Sequence, residues 1–84
     1  MQPIHELLNR IRWDTEFGKG SFEIGYKDHI LQRIVRVPFH KIRFMEGDRF
    51  SFQVEDSKGE MLTIPLHRVR EVYKDGYRIW YRSF

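Results

Sequence analysis

Residues 69–81 read VREVYKDGYRIWY, and this stretch decides the class of the fold. The central pair Asp75-Gly76 is a strong signal for a two-residue β-hairpin, because a type I′ turn needs positive φ at both of its central residues. Aromatic and β-branched residues flank the pair on both sides, as is typical of strands. We therefore predict a C-terminal hairpin in which Val72 pairs with Ile79, with Ile79 buried.

Upstream of the hairpin, the N-terminal segment has the periodicity of a helix. Ile4, Leu7, Leu8 and Ile11 recur at the spacing of one helical face. Pro3 stands where the first helical residue tolerates a missing N–H. This pattern predicts an amphipathic helix from residue 3 to about residue 13, followed by a loop.

Between the helix and the hairpin, the hydrophobic period changes to two. Phe50, Phe52 and Val54 alternate with polar residues, which predicts a strand with these three side chains on its buried face. The candidate strands cover residues 21–27, 30–37, 49–55 and 60–64. The predicted fold is thus α+β, with an N-terminal amphipathic helix packed on a mainly antiparallel, strongly twisted sheet of about five to six strands that ends in the C-terminal hairpin. We detect no internal repeat or linker, and expect residues 1–84 to form a single domain.

The composition excludes several classes of site. The 84 residues include no cysteine, which rules out disulfides, thiolate metal sites and cysteine nucleophiles. The N-terminus lacks the layout of a signal peptide and no run is long enough for a membrane span, so we expect a cytoplasmic protein without a membrane partner. We expect neither a cofactor nor a metal, because no metal-ligand spacing occurs among His5, His29, His40 and His67.

The charge of the chain favours a nucleic-acid partner. The net charge is +3 and the pI is about 9.4, in the range of an electrostatic footprint for nucleic acid. Ten of the 15 basic residues are arginine, whose planar fork binds phosphate bidentately and stacks on bases. Clusters of arginine with histidine or aromatic residues are therefore the candidate binding sites.

The segment 64–70, IPLHRVR, crowds three phosphate-binding side chains behind a proline that cannot continue a central strand. His67 can donate to a phosphate oxygen and Arg68 can clamp it, so the pair is a candidate site for a terminal phosphate. The alternative is an exposed bend whose histidine bonds a neighbouring carbonyl. The residue types alone leave both interpretations open.

The C-terminal segment interleaves aromatic residues with arginines, which is the layout of a base-stacking surface flanked by phosphate contacts. Within it, we assign Trp80 to packing, and Arg78 and Arg82 to solvent or to a ligand. A second basic group lies between the predicted strands and is interpreted as a solvated strand edge rather than an extension of a groove. Its members are Arg33, Arg36, His40, Lys41 and Arg43.

Several of these segments also carry a family resemblance. The chain resembles a family of small, mostly archaeal proteins whose domain has been called the RNA cyclic-group end recognition domain. The segments that carry the resemblance are 8–14 (LNRIRWD), 23–28 (EIGYKD) and 64–70 (IPLHRVR), with Gly76, Trp80 and Arg82. The resemblance implies an RNA-binding domain, elsewhere fused to RNA-processing enzymes, that recognises RNA ends carrying a 2′,3′-cyclic phosphate.

The sequence departs from the family pattern at two positions. Asp28 is followed by His29 where the family has an arginine, and Leu66 stands where a tyrosine is common. A contact made by that arginine would therefore be weaker here, or shared with Lys27.

We predict an RNA-binding module for 3′ ends with a cyclic or terminal phosphate, acting in RNA processing or repair, with RNA and an RNA-processing enzyme as partners. His67, Arg68 and Arg82 would hold the phosphate, and Tyr26, Tyr81 or another exposed ring would stack the last base. The full predicted set is Tyr26, Lys27, Asp28, His29, His67, Arg68, Arg70, Arg78, Tyr81 and Arg82. Binding needs no catalysis. The alternatives are a phosphoesterase that uses His67 with His29, and an interaction module for an acidic protein.

Overall fold

The computed structural model describes residues 2–83 and contains one helix, seven strands and two short 3₁₀ turns. The helix is α1 (Ile4–Trp13), and the turns are η1 (Phe39–Lys41) and η2 (Leu66–Arg68). The strands are β1 (Phe22–Asp28), β2 (Arg33–Pro38), β3 (Ile42–Arg43), β4 (Ser51–Glu55), β5 (Met61–Pro65), β6 (Val69–Lys74) and β7 (Tyr77–Tyr81). Within the described residues, no helix has the length and apolar character needed to cross a membrane.

The strands form two antiparallel sheets. One has four strands in the order β2-β1-β6-β7, and the other has three in the order β3-β4-β5. The structure confirms the α+β class, the helix packed on antiparallel strands and the C-terminal hairpin. The strands divide into two sheets because Pro38 and Pro65 end β2 and β5, and the turns η1 and η2 then carry the chain across to the other sheet.

Both sheets and the helix share one hydrophobic core. The helix contributes the face that its periodicity predicts, with Ile4, Leu7, Leu8 and Ile11 all buried. The strands contribute Phe22, Ile24, Tyr26, Ile42, Phe52, Val54, Ile64, Val69, Val72 and Trp80. All of these side chains form a single cluster, so one core joins the helix and both sheets.

The C-terminal hairpin turns at residues 75–76 as predicted, but its register differs from the prediction. A β-bulge follows the second pair of residues, so that Val72 pairs with Trp80 and not with Ile79. The predicted burial of Ile79 is also wrong, because its side chain is 41% exposed. Ile79 is the extra residue of this bulge, and its insertion places the side chain of Trp80 in the core. There, the indole Nε1 of Trp80 donates to the carbonyl of Gln2 at 2.7 Å.

The beginning of β4 is a second correction. The alternation of residues 50, 52 and 54 predicts that Phe50 is buried, but it lies outside the strand with 80% of its surface exposed. The carboxylate of Asp48 accepts the backbone N–H of Phe50 at 2.9 Å and the hydroxyl of Ser51. This local turn keeps Phe50 out of the ladder, while Phe52 and Val54 are buried as predicted.

A tight turn closes the end of α1. The carboxylate of Asp14 accepts the backbone N–H groups of Glu16 and Phe17 at 3.0 and 3.1 Å, and Gly18 donates to the carbonyl of Asp14 at 2.7 Å. A Cβ atom on Gly18 would lie 2.5 Å from the carbonyl oxygen of Ile11 and 2.9 Å from that of Asp14. Both obstacles are backbone atoms, so neither can rotate away.

We predict that Gly18→Ala lowers the free energy of unfolding by about 1–3 kcal/mol, the usual cost of forcing an extra methyl group into a packed position. Urea unfolding followed by circular dichroism measures the change. Thr15→Ala, an exposed position in the same turn, is the matched control and should change stability by less than about 0.5 kcal/mol. Equal stability of Gly18→Ala and wild type would contradict the tight turn.

Candidate functional site

Turn η2, which carries His67 and Arg68, is the point where the chain passes from the three-stranded to the four-stranded sheet. Pro65 precedes it in an extended conformation, and the N–H of Val69 closes the turn on the carbonyl of Leu66. The N–H of Leu66 itself donates to the carbonyl of Phe50 at 2.7 Å. The turn is thereby attached to the segment that precedes β4.

Two arginines hold the backbone of η2 from the other side. Arg82 donates from Nε to the carbonyl of Val69 and from Nη2 to that of Leu66, both at 2.8 Å. Arg70 donates from Nη1 to the carbonyl of His67. Burial lowers the pKa of the Arg82 guanidinium, and the nearby charge of Arg70 acts in the same direction. Both predicted phosphate ligands are thus engaged with the turn that presents His67.

Arg68 is in a different situation. Its Nε atom is buried and has no hydrogen-bond partner among the described residues. A buried donor without an acceptor costs about 1–3 kcal/mol, so such a group calls for an explanation. An oxygen atom of a bound ligand would satisfy this donor.

The end of β1 lies beside η2. Tyr26 pairs with Val69, so Lys27 and Asp28 continue alongside the turn, and β1 contacts η2 directly. The carboxylate of Asp28 accepts two backbone N–H groups of the β1–β2 turn, where His29 is exposed. The structure therefore brings the segments 23–28 and 64–70 together.

Tyr26 is a correction to the predicted site. Its side chain is only 4% exposed, and its ring packs edge-on against Phe52 with 6.3 Å between centroids. Burial raises the pKa of the phenol, and the charge of Asp28 adds to this effect. Tyr26 is a core residue, so its ring is not available for a base.

Arg78 and Tyr81 lie on the outer face of the four-stranded sheet. The guanidinium of Arg78 lies 4.2 Å from the ring centroid of Tyr81 and forms an ion pair with Glu71 at 3.2 Å. Arg36 and Tyr73 make a similar stack on the same face, with 3.7 Å between the guanidinium and the ring centroid. These pairs are separate from the surface that His67 faces.

That surface is a groove of about 710 Å³ between α1 and residues 44–51. Among the described residues, it is lined on the helix side by His5, Asn9 and Arg12, and on the opposite side by Phe44, Arg49 and Phe50. His67 and Leu66 of η2 complete the lining. His67 is the one member of the predicted set that lines this groove, whereas Arg68 and Arg82 lie outside its lining.

Phe50 is an exposed ring on a fixed backbone. Its N–H is bound by the carboxylate of Asp48, and its carbonyl accepts the N–H of Leu66. Across the same groove, the guanidinium of Arg12 lies 4.3 Å from the ring centroid of Phe44. The groove therefore offers one open aromatic face and one arginine that is already stacked.

The groove is positively charged. Arg12 and Arg49 lie in its lining with the two imidazoles, and Asp48 is the one acidic residue there within the described chain. Hydrogen bonds from the hydroxyl of Ser51 and the N–H of Phe50 lower the pKa of the Asp48 carboxyl. Asp48 therefore stays ionised and offsets one of the two arginine charges, which leaves the lining with a net positive charge for an anionic ligand.

Sequence reasoning missed most of these groove residues. Asn9 and Arg12 lie in segment 8–14, which carries the family resemblance, but no role was predicted for them. Phe50 was assigned to the core because of its alternation with Phe52. A signal for Arg49 and Phe50 was present in their position, since they adjoin Asp48, a residue type that starts turns.

Comparison with known protein families places the chain in one family. A family model described as "MJ1316 RNA cyclic group end recognition domain" matches residues 1–82 of the chain. Searches of curated proteins and of solved structures gave no significant match. The match includes all of the groove residues and both segments that meet at η2.

We predict that Ser51→Ala raises the pKa of Asp48 towards its ordinary value, because the hydroxyl is the main cause of the lowered pKa. A carboxyl with a lowered pKa stabilises the folded state above its unfolded pKa, and this stability is lost as the pH falls through the folded value. NMR titration of the side-chain carboxyl measures the shift. Asp14 is an internal control, because its pKa is lowered mainly by the N–H of Phe17 and should not move. An unchanged Asp48 would disprove the assigned cause.

Proposed function

Because this chain belongs to the family of the MJ1316 RNA cyclic group end recognition domain, an RNA-binding family, we propose that its groove beside η2 binds the 3′ end of an RNA. The proposed end group is a 2′,3′-cyclic phosphate or a terminal phosphate. The proposed setting is RNA processing or repair, with an RNA-processing enzyme as the partner that acts on the same end. Residues 1–84 would act as one end-binding unit.

The observation that carries the proposal is the position of η2. Its exposed His67 lines a positively charged groove, and the adjacent Arg68 has a buried donor without a protein acceptor. A phosphate at this turn would accept a hydrogen bond from the imidazole, and a second one from the guanidinium once the side chain of Arg68 turns from its buried position towards the groove. Both contacts are short range and involve charge, so they favour an end that carries a phosphate over one that carries a hydroxyl.

Arg70 and Arg82 act in this proposal as positioning residues. Each donates to a carbonyl of η2 or its immediate neighbour, so each fixes the direction in which His67 points. Lys27, one residue beyond the Tyr26–Val69 pair, adds positive charge beside the turn, and the exposed His29 follows in the β1–β2 turn. The contribution of Lys27 is electrostatic and would extend to the nucleotide before the end.

Phe50 supplies the contact with the terminal base. An aromatic ring that is open to solvent and fixed at both sides of its backbone stacks a base with little loss of conformational freedom. This role replaces the one predicted for Tyr26, whose ring is buried. Stacking recognises every base, so this contact gives affinity and no sequence preference.

We predict that the protein binds an RNA with a 2′,3′-cyclic phosphate or a 3′-phosphate more tightly than the same RNA with a 3′-hydroxyl. Arg68→Ala should weaken binding of the phosphorylated ends by about 1.5–3 kcal/mol, the range for hydrogen bonds to charged groups. His67→Ala should reduce the difference in affinity between the phosphorylated ends and the 3′-hydroxyl end. Fluorescence anisotropy with three matched oligonucleotides measures both effects.

Lys58→Ala is the matched control, because it removes one exposed positive charge in the β4–β5 turn, outside the residues that line the groove. It should leave the difference between the three ends unchanged. Equal affinities of the wild type for all three ends would exclude end recognition. Conversion of the cyclic end to a 3′-phosphate during the measurement would instead indicate a phosphoesterase, for which the groove offers His5 together with His67.

We predict that Phe50→Ala weakens binding of an end-phosphorylated RNA by about 1–3 kcal/mol, the usual contribution of one stacked base. Phe50→Trp keeps an aromatic face and should keep the affinity. The same oligonucleotide with an abasic terminal nucleotide separates stacking from other effects, since Phe50→Ala should not weaken its binding. An equal loss for the abasic and the normal RNA would contradict base stacking.

A further inference from the structure

The sequence that forms η2 occurs twice in the chain. Residues 37–43 read VPFHKIR and residues 64–70 read IPLHRVR. Both segments contain, in order, a β-branched residue, proline, a large apolar residue, histidine, a basic residue, a β-branched residue and arginine. This seven-residue repeat contradicts the expectation that the chain contains no internal repeat.

The two segments also have the same structure. Pro38 has φ −62° and ψ 139°, and Pro65 has φ −64° and ψ 142°. Each is followed by a three-residue 3₁₀ turn that closes with one N–H bond, from Ile42 in η1 and from Val69 in η2. Each turn carries the chain from one sheet to the other. The repeat is therefore a strand–turn–strand unit.

The fold requires only the apolar half of the repeat. The proline ends each strand, Phe39 and Leu66 pack against the core, and Ile42 and Val69 are buried. His40, Lys41 and Arg43 are exposed, so the packing of the core does not account for them. Since the basic positions recur with the apolar ones, we infer that the two turns share a chemical role as well as a structural one.

We propose that η1 is a second phosphate-binding site, in which His40, Lys41 and Arg43 hold an internucleotide phosphate of the RNA whose 3′ end lies at η2. The proposal rests on the proposed function, which supplies the RNA. The guanidinium of Arg43 has no hydrogen bond or ion pair within residues 2–83, in contrast to Arg70 at the corresponding position of η2. It is thus available to a ligand.

The lining of the groove includes η2 and a residue that contacts η1. His67 in the lining belongs to η2, and Phe44 in the same lining packs against Phe39 of η1 with 5.9 Å between ring centroids. The guanidinium of Arg12 stacks over the ring of Phe44. A strand that leaves the end site along the groove would therefore meet one arginine at Phe44, next to η1.

Within residues 2–83, no acidic side chain forms an ion pair with Lys41 or Arg43. The strand β1 contacts this turn, and Glu23 of β1 pairs with Pro38 in the sheet. The carboxylate of Glu23 is occupied by Arg36, with 2.6 Å between the charged groups. The positive charges of Lys41 and Arg43 therefore remain available to the backbone of the RNA.

The test compares RNAs of increasing length, from a mononucleotide to a decamer, all ending in a 2′,3′-cyclic phosphate. For the wild type, anisotropy should show tighter binding as the RNA grows long enough to reach η1. The double variant His40→Ala, Lys41→Ala should bind the mononucleotide as the wild type does. It should bind the decamer about tenfold or more weakly, which corresponds to the loss of at least one hydrogen bond to a charged group.

The outcomes separate this proposal from the end site. His67→Ala should weaken binding of the mononucleotide, and Lys58→Ala should leave the affinities for the mononucleotide and the decamer unchanged. The second site would be overturned if the double variant bound RNAs of every length with wild-type affinity. It would also be overturned if the double variant lost the same affinity at every length. If the wild type shows no preference among end groups while the double variant still loses the gain with length, the end site is wrong and the site at η1 stands.

Discussion

The hydrogen bonds that converge on η2 are the constraint on which the rest of the structure depends. A turn between two sheets has no ladder partner, so its backbone groups must be satisfied by other means. The carbonyl of Phe50 accepts from one side of the turn, and the guanidinium of Arg82 donates to two carbonyls from the other. These bonds link the two sheets to each other through η2. They also hold the turn in the position in which His67 lines the groove.

The elements that depend on local patterns could be predicted from the sequence. The helix face and the turn at residues 75–76 follow from spacing and from residue type alone. The predicted burial was wrong at two positions, where a single residue changes which side chains of a strand face the core. The bulge at Ile79 exchanges the two faces of β7, and the bonds of Asp48 remove Phe50 from β4. A period of two predicts a face only while the ladder is continuous.

The candidate site was harder to predict, because three segments that are distant in sequence build it. The groove takes one wall from α1, another from residues 44–51 and its end from η2. The residue types pointed to His67 and Arg68, but they left the stacking ring open among Tyr26, Tyr81 and another exposed ring. The ring of Tyr26 lies against Phe52 in the core, whereas Phe50, two residues before Phe52, is exposed. Only the tertiary structure decides which of these aromatic residues faces the groove.

The two sheet-crossing turns differ in how firmly they are held, and this difference fits the two roles that we propose. At η2, two arginines bond to backbone carbonyls and fix the turn. At η1, the support is aromatic, with Phe39 packed against Phe22 and Phe44. Recognition of an end group requires donors at fixed positions, since the cyclic and open forms differ by small displacements of oxygen atoms. A phosphate within the chain varies more in position, and long exposed cations on a turn without such a clamp can follow it.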